Sequence, residues 1–359
     1  MRIAQIAPLA ESVPPKLYGG TERVISYLTE ELVRQGHEVT LFASGDSATS
    51  AELVSGVQSG LRLQGVANAV PYELAMLRNV RRQAARFDVL HFHLDAVHLE
   101  PAPRFTQPVL TTIHGRIDLP HLAERYRARD DMPLVSISDS QRAPLPDAPW
   151  LGTVHHGLPR SVCQFEPSPR GGYLAFLGRI SRDKRVDRAI EIARCARLPL
   201  HIAAKIDPSD LEYYEQVVRP AMRDADVKFI GEISESQKAG FLGNAIALLW
   251  PIDWPEPFGL AMIEAMSCGT PVVAWDEGST REVVDHALTG YVVSSIGEAV
   301  KAVSRVQRLD RRRIRRRFEQ RFTARRMARD YLQLYERLAS PLFSREVPLS
   351  LPALPAPAA

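Results

Sequence analysis

Two glutamates eight positions apart, Glu256 and Glu264, sit in the stretch Trp254-Pro255-Glu256-Pro257-Phe258-Gly259-Leu260-Ala261-Met262-Ile263-Glu264-Ala265-Met266. Paired carboxylates can flank one bond in a hydrolase. They can equally accept hydrogen bonds from vicinal hydroxyls of a ribose or a hexose. The neighbours Ala261, Ile263, Ala265 and Met266 make the helix around Glu264 apolar nearly all round. A carboxylate on such a buried helix needs partners. The strand Ala245–Trp250 precedes the stretch, and the strand Val272–Trp275 follows it after Gly269-Thr270-Pro271. A loop feeding a helix at the carboxyl end of a parallel strand is a usual site for anionic ligands.

Other βα turns carry complementary groups. Gly178-Arg179-Ile180-Ser181-Arg182-Asp183-Lys184 places an arginine fork and a lysine point charge over one turn, a set suited to a diphosphate. Gly19 and Gly20 precede a helix starting with Thr21 and Glu22, so backbone could approach a ligand there. The pattern is not GxGxxG and does not support a nicotinamide cofactor. His114 ends a strand at Thr112-Ile113-His114-Gly115, facing a cleft. His91 and His93 share one strand face, and with His98 or Asp95 they could ligate a metal; no second ligand pair has strong spacing, so no metal site is assigned.

The elements that position these groups alternate. A strand Ile3–Pro8, a helix carrying Val24, Ile25, Leu28, Leu32 and Val33, and a strand Glu38–Ala43 form an opening βαβ unit, which implies a parallel sheet. A basic helix over 72–86 and strands at Asp88–Phe92, Pro108–His114, Leu134–Ser138 and Thr153–His155 complete a first domain, 1–157. Residues 158–171 form a proline-containing linker. Strands Tyr173–Leu177, Leu200–Ala204, Val227–Ile230, Ala245–Trp250 and Val272–Trp275, with helices Val186–Cys195, Leu211–Arg223 and Glu235–Leu242, make a second domain, 172–322. An amphipathic helix follows in 323–340, and the proline-rich tail 341–359 is expected to be disordered. The fold class is α/β, with two doubly wound Rossmann-like domains.

Composition narrows the function classes. A net charge of +3 argues against a dedicated nucleic-acid binder, and the three cysteines lack any CxxC spacing, which fits a reducing compartment. The first residues read as a strand without the longer apolar core of a signal peptide, so a cytoplasmic protein is expected. Six arginines within residues 311–317 suggest a basic helix. Such a helix is compatible with peripheral contact at an anionic membrane, on its inner face.

Together these motifs resemble glycosyltransferase family 4, the retaining nucleotide-sugar transferases of GT-B fold, over roughly residues 1–340. The most specific part is the Glu-x7-Glu pattern from Glu256 to Glu264, and Gly178-Arg179 with Lys184 is similar to the family's diphosphate clamp. Gly278-Ser279-Thr280-Arg281-Glu282-Val283 is similar to a common Gly-Gly-x-x-Glu-Val turn, with Ser279 for the second glycine, and Arg185 stands where many members have glycine.

The resemblance implies that two domains face each other across a cleft and that the last helix crosses back onto the first domain. It implies transfer of a hexose from a nucleotide sugar, UDP-linked first and GDP-linked second, to a hydroxyl of a glycan, glycolipid or small molecule. His114, Arg179, Lys184 and Glu256 would be catalytic. Gly19, Gly20, Gly178, Arg179, Lys184, Glu256, Phe258, Gly259, Leu260 and Glu264 would bind the donor. Glu256 would hold the sugar and Glu264 the ribose, the helix N-terminus near Pro257 would face the diphosphate, and backbone near 231–234 would meet the base. No cofactor or metal is required. A non-catalytic nucleotide-sugar sensor and a basic membrane-surface protein are the alternatives.

Overall fold

Parallel strands need crossover connections, and here helices supply most of them for the thirteen described strands in two sheets. The computed structural model describes all residues except 17–18, 100–104, 130–131, 163 and 341–359. The proline-rich tail, 341–359, therefore lies outside the described residues. The first sheet contains β1 (Arg2–Ile6), β2 (Glu38–Ser44), β3 (Glu52–Val57), β4 (Val89–Phe92), β5 (Val109–Thr112), β6 (Leu134–Ser136) and β7 (Trp150–Thr153), in the order β3-β2-β1-β4-β5-β6-β7. The second contains β8 (Leu174–Ile180), β9 (Leu200–Ile206), β10 (Val227–Gly231), β11 (Ala247–Trp250), β12 (Val272–Trp275) and β13 (Gly290–Val293), in the order β10-β9-β8-β11-β12-β13. All described pairings are parallel.

Helices of eight or more residues are α1 (Gly20–Arg34), α2 (Val70–Gln83), α3 (Pro120–Arg127), α4 (Val186–Ala196), α5 (Glu235–Gly243), α6 (Leu260–Ser267), α7 (Ile296–Val306), α8 (Arg311–Arg321) and α9 (Ala324–Ala339). Strand alternation splits the core of each sheet. In β8, Leu174 and Phe176 face one apolar cluster while Ala175 and Leu177 face the other. In β1, Ala4 and Ile6 pack on one side and Ile3 on the other, where α1 and α9 lie.

Some elements differ from expectation. Edge strands β3 and β13 had no place in the sequence reading. Both are short and half-exposed, and β3 carries Gly56, so neither gives a strong apolar run. The helix expected over Leu211–Arg223 is interrupted by a π turn at Tyr214–Val218 just before Arg219-Pro220; proline lacks the N–H that a continuous α-helix would use. β7 ends at Thr153 rather than running over Thr153–His155.

The chain crosses between the domains twice, and the crossings touch. Leu158 N donates to Phe322 O at 2.9 Å, and Ala324 N donates to Leu158 O at 2.8 Å. A Cβ on Gly157 would stand 2.3 Å from Thr323 O, so this approach requires glycine. Beyond the second crossing, α9 buries Met327, Ala328, Tyr331, Tyr335 and Leu338 against the first domain.

The arginine run is not one solvated basic face. Arg311 is 9% exposed and donates to the carbonyls of Glu166, Ala245 and Gly243 and to Thr270 Oγ1. Burial pulls its guanidinium down to about 10. Arg315 donates to Ser267 O and Arg160 O, and Arg317 is paired with Asp285. Half of the run thus ties α8 to the rest of the chain, while Arg312, Arg313 and Arg316 remain exposed. Among the described residues, no helix is long and apolar enough to cross a membrane. Arg311→Ala would strand three buried carbonyls and should cost about 3–5 kcal/mol, whereas exposed Arg312→Ala should leave the melting temperature nearly unchanged. Equal melting temperatures for the two variants would overturn this assignment.

Candidate functional site

The carboxyl ends of both sheets open into a cavity of about 510 Å3, within the range of small-ligand sites. The first domain contributes Gly19, Gly20, Glu22, Asp95 and His114, and the second contributes Gly178, Lys184, Glu256, Phe258 and Glu264. Leu260 approaches Gly20 across the gap; a Cβ on Gly20 would lie 3.5 Å from its Cδ1.

The stretch containing the glutamates is built from backbone constraints. Gly259 has φ 81°, and a Cβ there would meet Met262 Cε at 2.7 Å and the Trp250 ring at 3.2 Å. The residue must therefore be glycine to turn the chain into α6. The helix begins at Leu260, later than the Pro257 start read from the sequence, so Pro257–Gly259 are the turn itself. The loop before it is clamped by the turn at 278–279. Ser279 N donates to Glu256 O at 3.1 Å, and Ser279 Oγ donates to Phe258 O at 2.7 Å. Serine thus occupies the second-glycine position with a hydroxyl that has its own partner.

Glu264 is 3% exposed and accepts from Lys238 Nζ at 2.6 Å. Burial alone would pull the Lys238 ammonium down, but the carboxylates of Glu264 and Glu235 prevail and raise it. Lys238 is the partner the buried carboxylate required, and sequence reasoning missed it. Its signal was modest: a lysine one turn into α5, behind a Ser234–Gln237 capping box. The same cluster bridges the domains, because Arg23 pairs with Glu235 and Tyr27 OH donates to Glu235 at 3.2 Å.

Lys184 is 8% exposed and is ion-paired with Glu256, its Nζ lying 4.7 Å from the Trp250 ring centroid. Arg185 takes the left-handed conformation, φ 52°, where a glycine would be unstrained. Its side chain offsets that strain through Asp187 at 3.0 Å and Asp253 at 2.7 Å. Arg179 does not join Lys184. It faces Asp207 at 3.6 Å and Asp210 at 3.5 Å and lines a separate cavity of about 190 Å3. The two-cation clamp is therefore not assembled here. Strand alternation is the reason, since Gly178 faces the main cavity and its neighbour turns away.

His114 lines the cavity, and its Nε2 lies 2.9 Å from His93 Nδ1. Burial pulls the His114 imidazole down to about 3, so the ring is neutral near pH 7. His91 and His93 do share a strand face, but His98 stacks on Phe92 and bonds Thr111 on the opposite side. Among the described residues no cluster of three His, Cys, Asp or Glu side chains could hold a metal.

A second bridge joins the domains beside the linker. Glu282 accepts from the backbone N–H groups of Asp139 and Ser140, both at 2.8 Å, and lies 3.1 Å from His155 Nε2. Phe258 packs on His155 and His156, with centroids 5.8 and 5.0 Å away, so the glutamate loop rests directly on this hinge.

Comparison with known proteins agrees with this arrangement. A model for Glycosyltransferase Family 4 matches residues 18–198, and a model for glycosyl transferases group 1 matches residues 165–322. The phosphatidyl-myo-inositol mannosyltransferase of Mycolicibacterium smegmatis is 28% identical over 82% of this chain and 81% of its own. The glycogen synthase of Mycobacterium tuberculosis is 25% identical, covering 81% and 83%. Among solved structures, the sucrose-phosphate synthase of Thermosynechococcus elongatus superposes with a TM-score of 0.79 at 19% identity, over 96% of this chain and 100% of that one. AviGT4, a glycosyltransferase involved in avilamycin A biosynthesis, gives 0.72 at 23% identity, over 94% and 98%.

The Glu282 bridge has a pH signature. Burial alone would raise its carboxyl, but the hydrogen bonds from His155, Asp139 and Ser140 prevail and hold it below the ordinary 4.5. A depressed carboxyl stabilises the fold above its unfolded value, and the contribution is lost as pH falls through the folded value. The stability difference between wild type and Glu282→Gln should therefore be full near pH 6 and shrink below about pH 4.5. Urea midpoints across that interval measure it, and a pH-independent difference would refute the linkage.

Proposed function

Because the chain belongs to glycosyltransferase family 4 and is a hexosyltransferase, we propose that its interdomain cavity binds a nucleotide-diphosphate sugar against the second domain and an acceptor hydroxyl against the first. The carrying observation is the pairing of two cavity carboxylates on the second domain with lysines, Glu256 with Lys184 and Glu264 with Lys238. A diphosphate entering beside Lys184 replaces Glu256 as the partner of that ammonium. Glu256 is then free to accept hydrogen bonds from sugar hydroxyls, while Glu264, held by Lys238, accepts from the ribose.

The leaving diphosphate is stabilised by Lys184 and by the backbone N–H groups at the start of α6, groups already fixed where negative charge develops. Arg179 would have to leave Asp207 and Asp210 to take part. The base lies against Glu232 and Ile233, which line the cavity at the end of β10. In a retaining reaction the acceptor hydroxyl attacks the face from which the diphosphate departs. The bond from the anomeric carbon to the phosphate oxygen breaks as the new glycosidic bond forms, and the departing oxygen takes the hydroxyl proton. UDP-sugars are the first donors to test and GDP-sugars the second, with acceptors drawn from glycans, lipid-linked glycans and small polyols. Domain closure would exclude water, which otherwise competes with the acceptor.

Melting temperatures across nucleoside diphosphates and nucleotide sugars identify the donor, since a ligand at about 100 times its Kd adds about 2.7 kcal/mol. Lys184→Ala and Glu264→Ala should each lower transfer roughly 100-fold or more while remaining folded. Near-normal turnover by both purified variants would sink the proposal.

A further inference from the structure

Beneath the cavity, on the face of the first sheet covered by α9, side chains form a continuous hydrogen-bonded chain. His114 Nε2 lies 2.9 Å from His93 Nδ1, and His93 Nε2 lies 2.7 Å from Gln5 Oε1. Gln5 Nε2 donates to Tyr335 OH at 3.1 Å, and that hydroxyl lies 2.7 Å from His91 Nδ1. His91 Nε2 is 2.7 Å from Thr112 Oγ1, which is 2.9 Å from Tyr331 OH. Gln5, His91, His93, Thr112, Tyr331 and Tyr335 are all at most 2% exposed. The cavity is thereby connected to the crossing helix through polar atoms alone.

With the Gln5 amide oxygen toward His93, proton counting fixes the direction of this chain. An amide oxygen can only accept, so His93 Nε2 carries the proton that faces Gln5. Burial holds His93 neutral, which leaves its Nδ1 bare. That bare nitrogen must accept from His114 Nε2. His114 is neutral as well, so its own Nδ1 is also bare. This atom is buried and has no partner among the described residues, on a ring that lines the cavity. At the other end, Tyr335 OH accepts from Gln5 and gives its proton to His91 Nδ1, leaving His91 Nε2–H to donate to Thr112. Every proton has one place. Reversing the Gln5 amide would force His93, His114, Tyr335 and His91 to reverse with it, and would put a proton on His114 Nδ1.

We propose that this chain holds His114 in its Nε2-protonated tautomer, so that Nδ1 serves as a hydrogen-bond acceptor for a substrate hydroxyl. Gln5 and Tyr335 are then positioning residues for transfer. The tautomer follows from the chain with the Gln5 oxygen toward His93, whereas the use of Nδ1 in transfer rests on the function proposed above. Gln5 lies on β1 and Tyr335 on α9, far from His114 in sequence. They act only through the imidazoles between them. An unfilled acceptor inside a desolvated site discriminates strongly between a hydroxyl and a group that cannot donate.

The test begins with the ligand-free full chain labelled with 15N-histidine. Two-bond 1H–15N correlation spectra report which ring nitrogen carries the proton, and the His114 signals are identified by their loss in His114→Gln. A protonated Nε2 and bare Nδ1 on His114 is the expected result; the opposite pattern overturns the proposal. The second arm compares Gln5→Met and Tyr335→Phe with wild type, using the donor and acceptor found by the ligand panel. Each should lower kcat about tenfold, leave the donor KM within about twofold, and give a mixed His114 tautomer. A mixed tautomer with unchanged kcat would overturn the role of Nδ1. Absence of transfer by the wild type would overturn that role through the reading it rests on, while the spectrum would still decide the tautomer.

Discussion

The docking of α9 on the first domain is the contact on which the rest of the molecule depends. Each sheet could fold around its own apolar clusters, but neither alone encloses a cavity. The helix leaves the second domain at Thr323, beside the outgoing crossing at Leu158, and buries Met327, Tyr331, Tyr335 and Leu338 on the first. Those side chains set where the second sheet stands opposite the first. Two adjacent crossings make a narrow hinge, because separation of the domains must bend both strands of chain at one place. Gly157 permits the crossings to touch, and the Glu282 bridge to Asp139, Ser140 and His155 limits how far they twist.

The cavity is electrostatically balanced, but unevenly. Its lysines and arginines each have a carboxylate: Arg23 with Glu235, Arg62 with Glu11, Lys184 with Glu256, Lys205 with Asp207, and Lys238 with Glu264. Pairing keeps buried cations from bearing the full desolvation penalty. On the first-domain side, Asp95 has no cationic partner among the described residues; it lies deep in the cleft with its side chain open to the cavity, and burial raises it. Glu22 is raised by burial too. The first-domain wall thus carries carboxylates raised by burial beside the paired Arg23 and Arg62, whereas Lys184, Lys205 and Lys238 on the second-domain wall are each paired.

Much of this was legible in the sequence because it rests on local pattern. Alternation of apolar strands and helices identifies two parallel sheets, and the Glu256–Glu264 spacing marks the turn into α6. Features needing long-range geometry were not legible. Lys238 reaches Glu264 from a neighbouring helix, and no periodicity announces that contact. Arg179 and Lys184 look like a pair along the chain, but strand alternation turns one toward Asp207 and Asp210. The arginine run looked uniform because burial cannot be read from composition. Arg311 reaches four acceptors supplied by three separate segments. Arg185 shows the reverse case, where the sequence flagged a missing glycine and the structure supplies the compensation through Asp187 and Asp253.

The polar layer under α9 bears on why a helix–sheet interface should contain so many hydrogen-bonding groups. Tyrosines and histidines there could be replaced by apolar residues of similar shape without loss of burial, and such replacements are often neutral or stabilising. A fully satisfied polar network instead fixes one docking geometry, since any shift of the helix breaks several bonds at once. Gln5, His91 and Thr112 come from three adjacent strands, and Tyr331 and Tyr335 sit one turn apart on the helix. The register of α9 is thus specified by hydrogen bonds as well as by packing. Because the same chain ends at His114 in the cavity wall, the interaction that seats the helix also orients a group in the site. A displacement of α9 would therefore disturb the imidazole that lines the cavity without passing through the second domain.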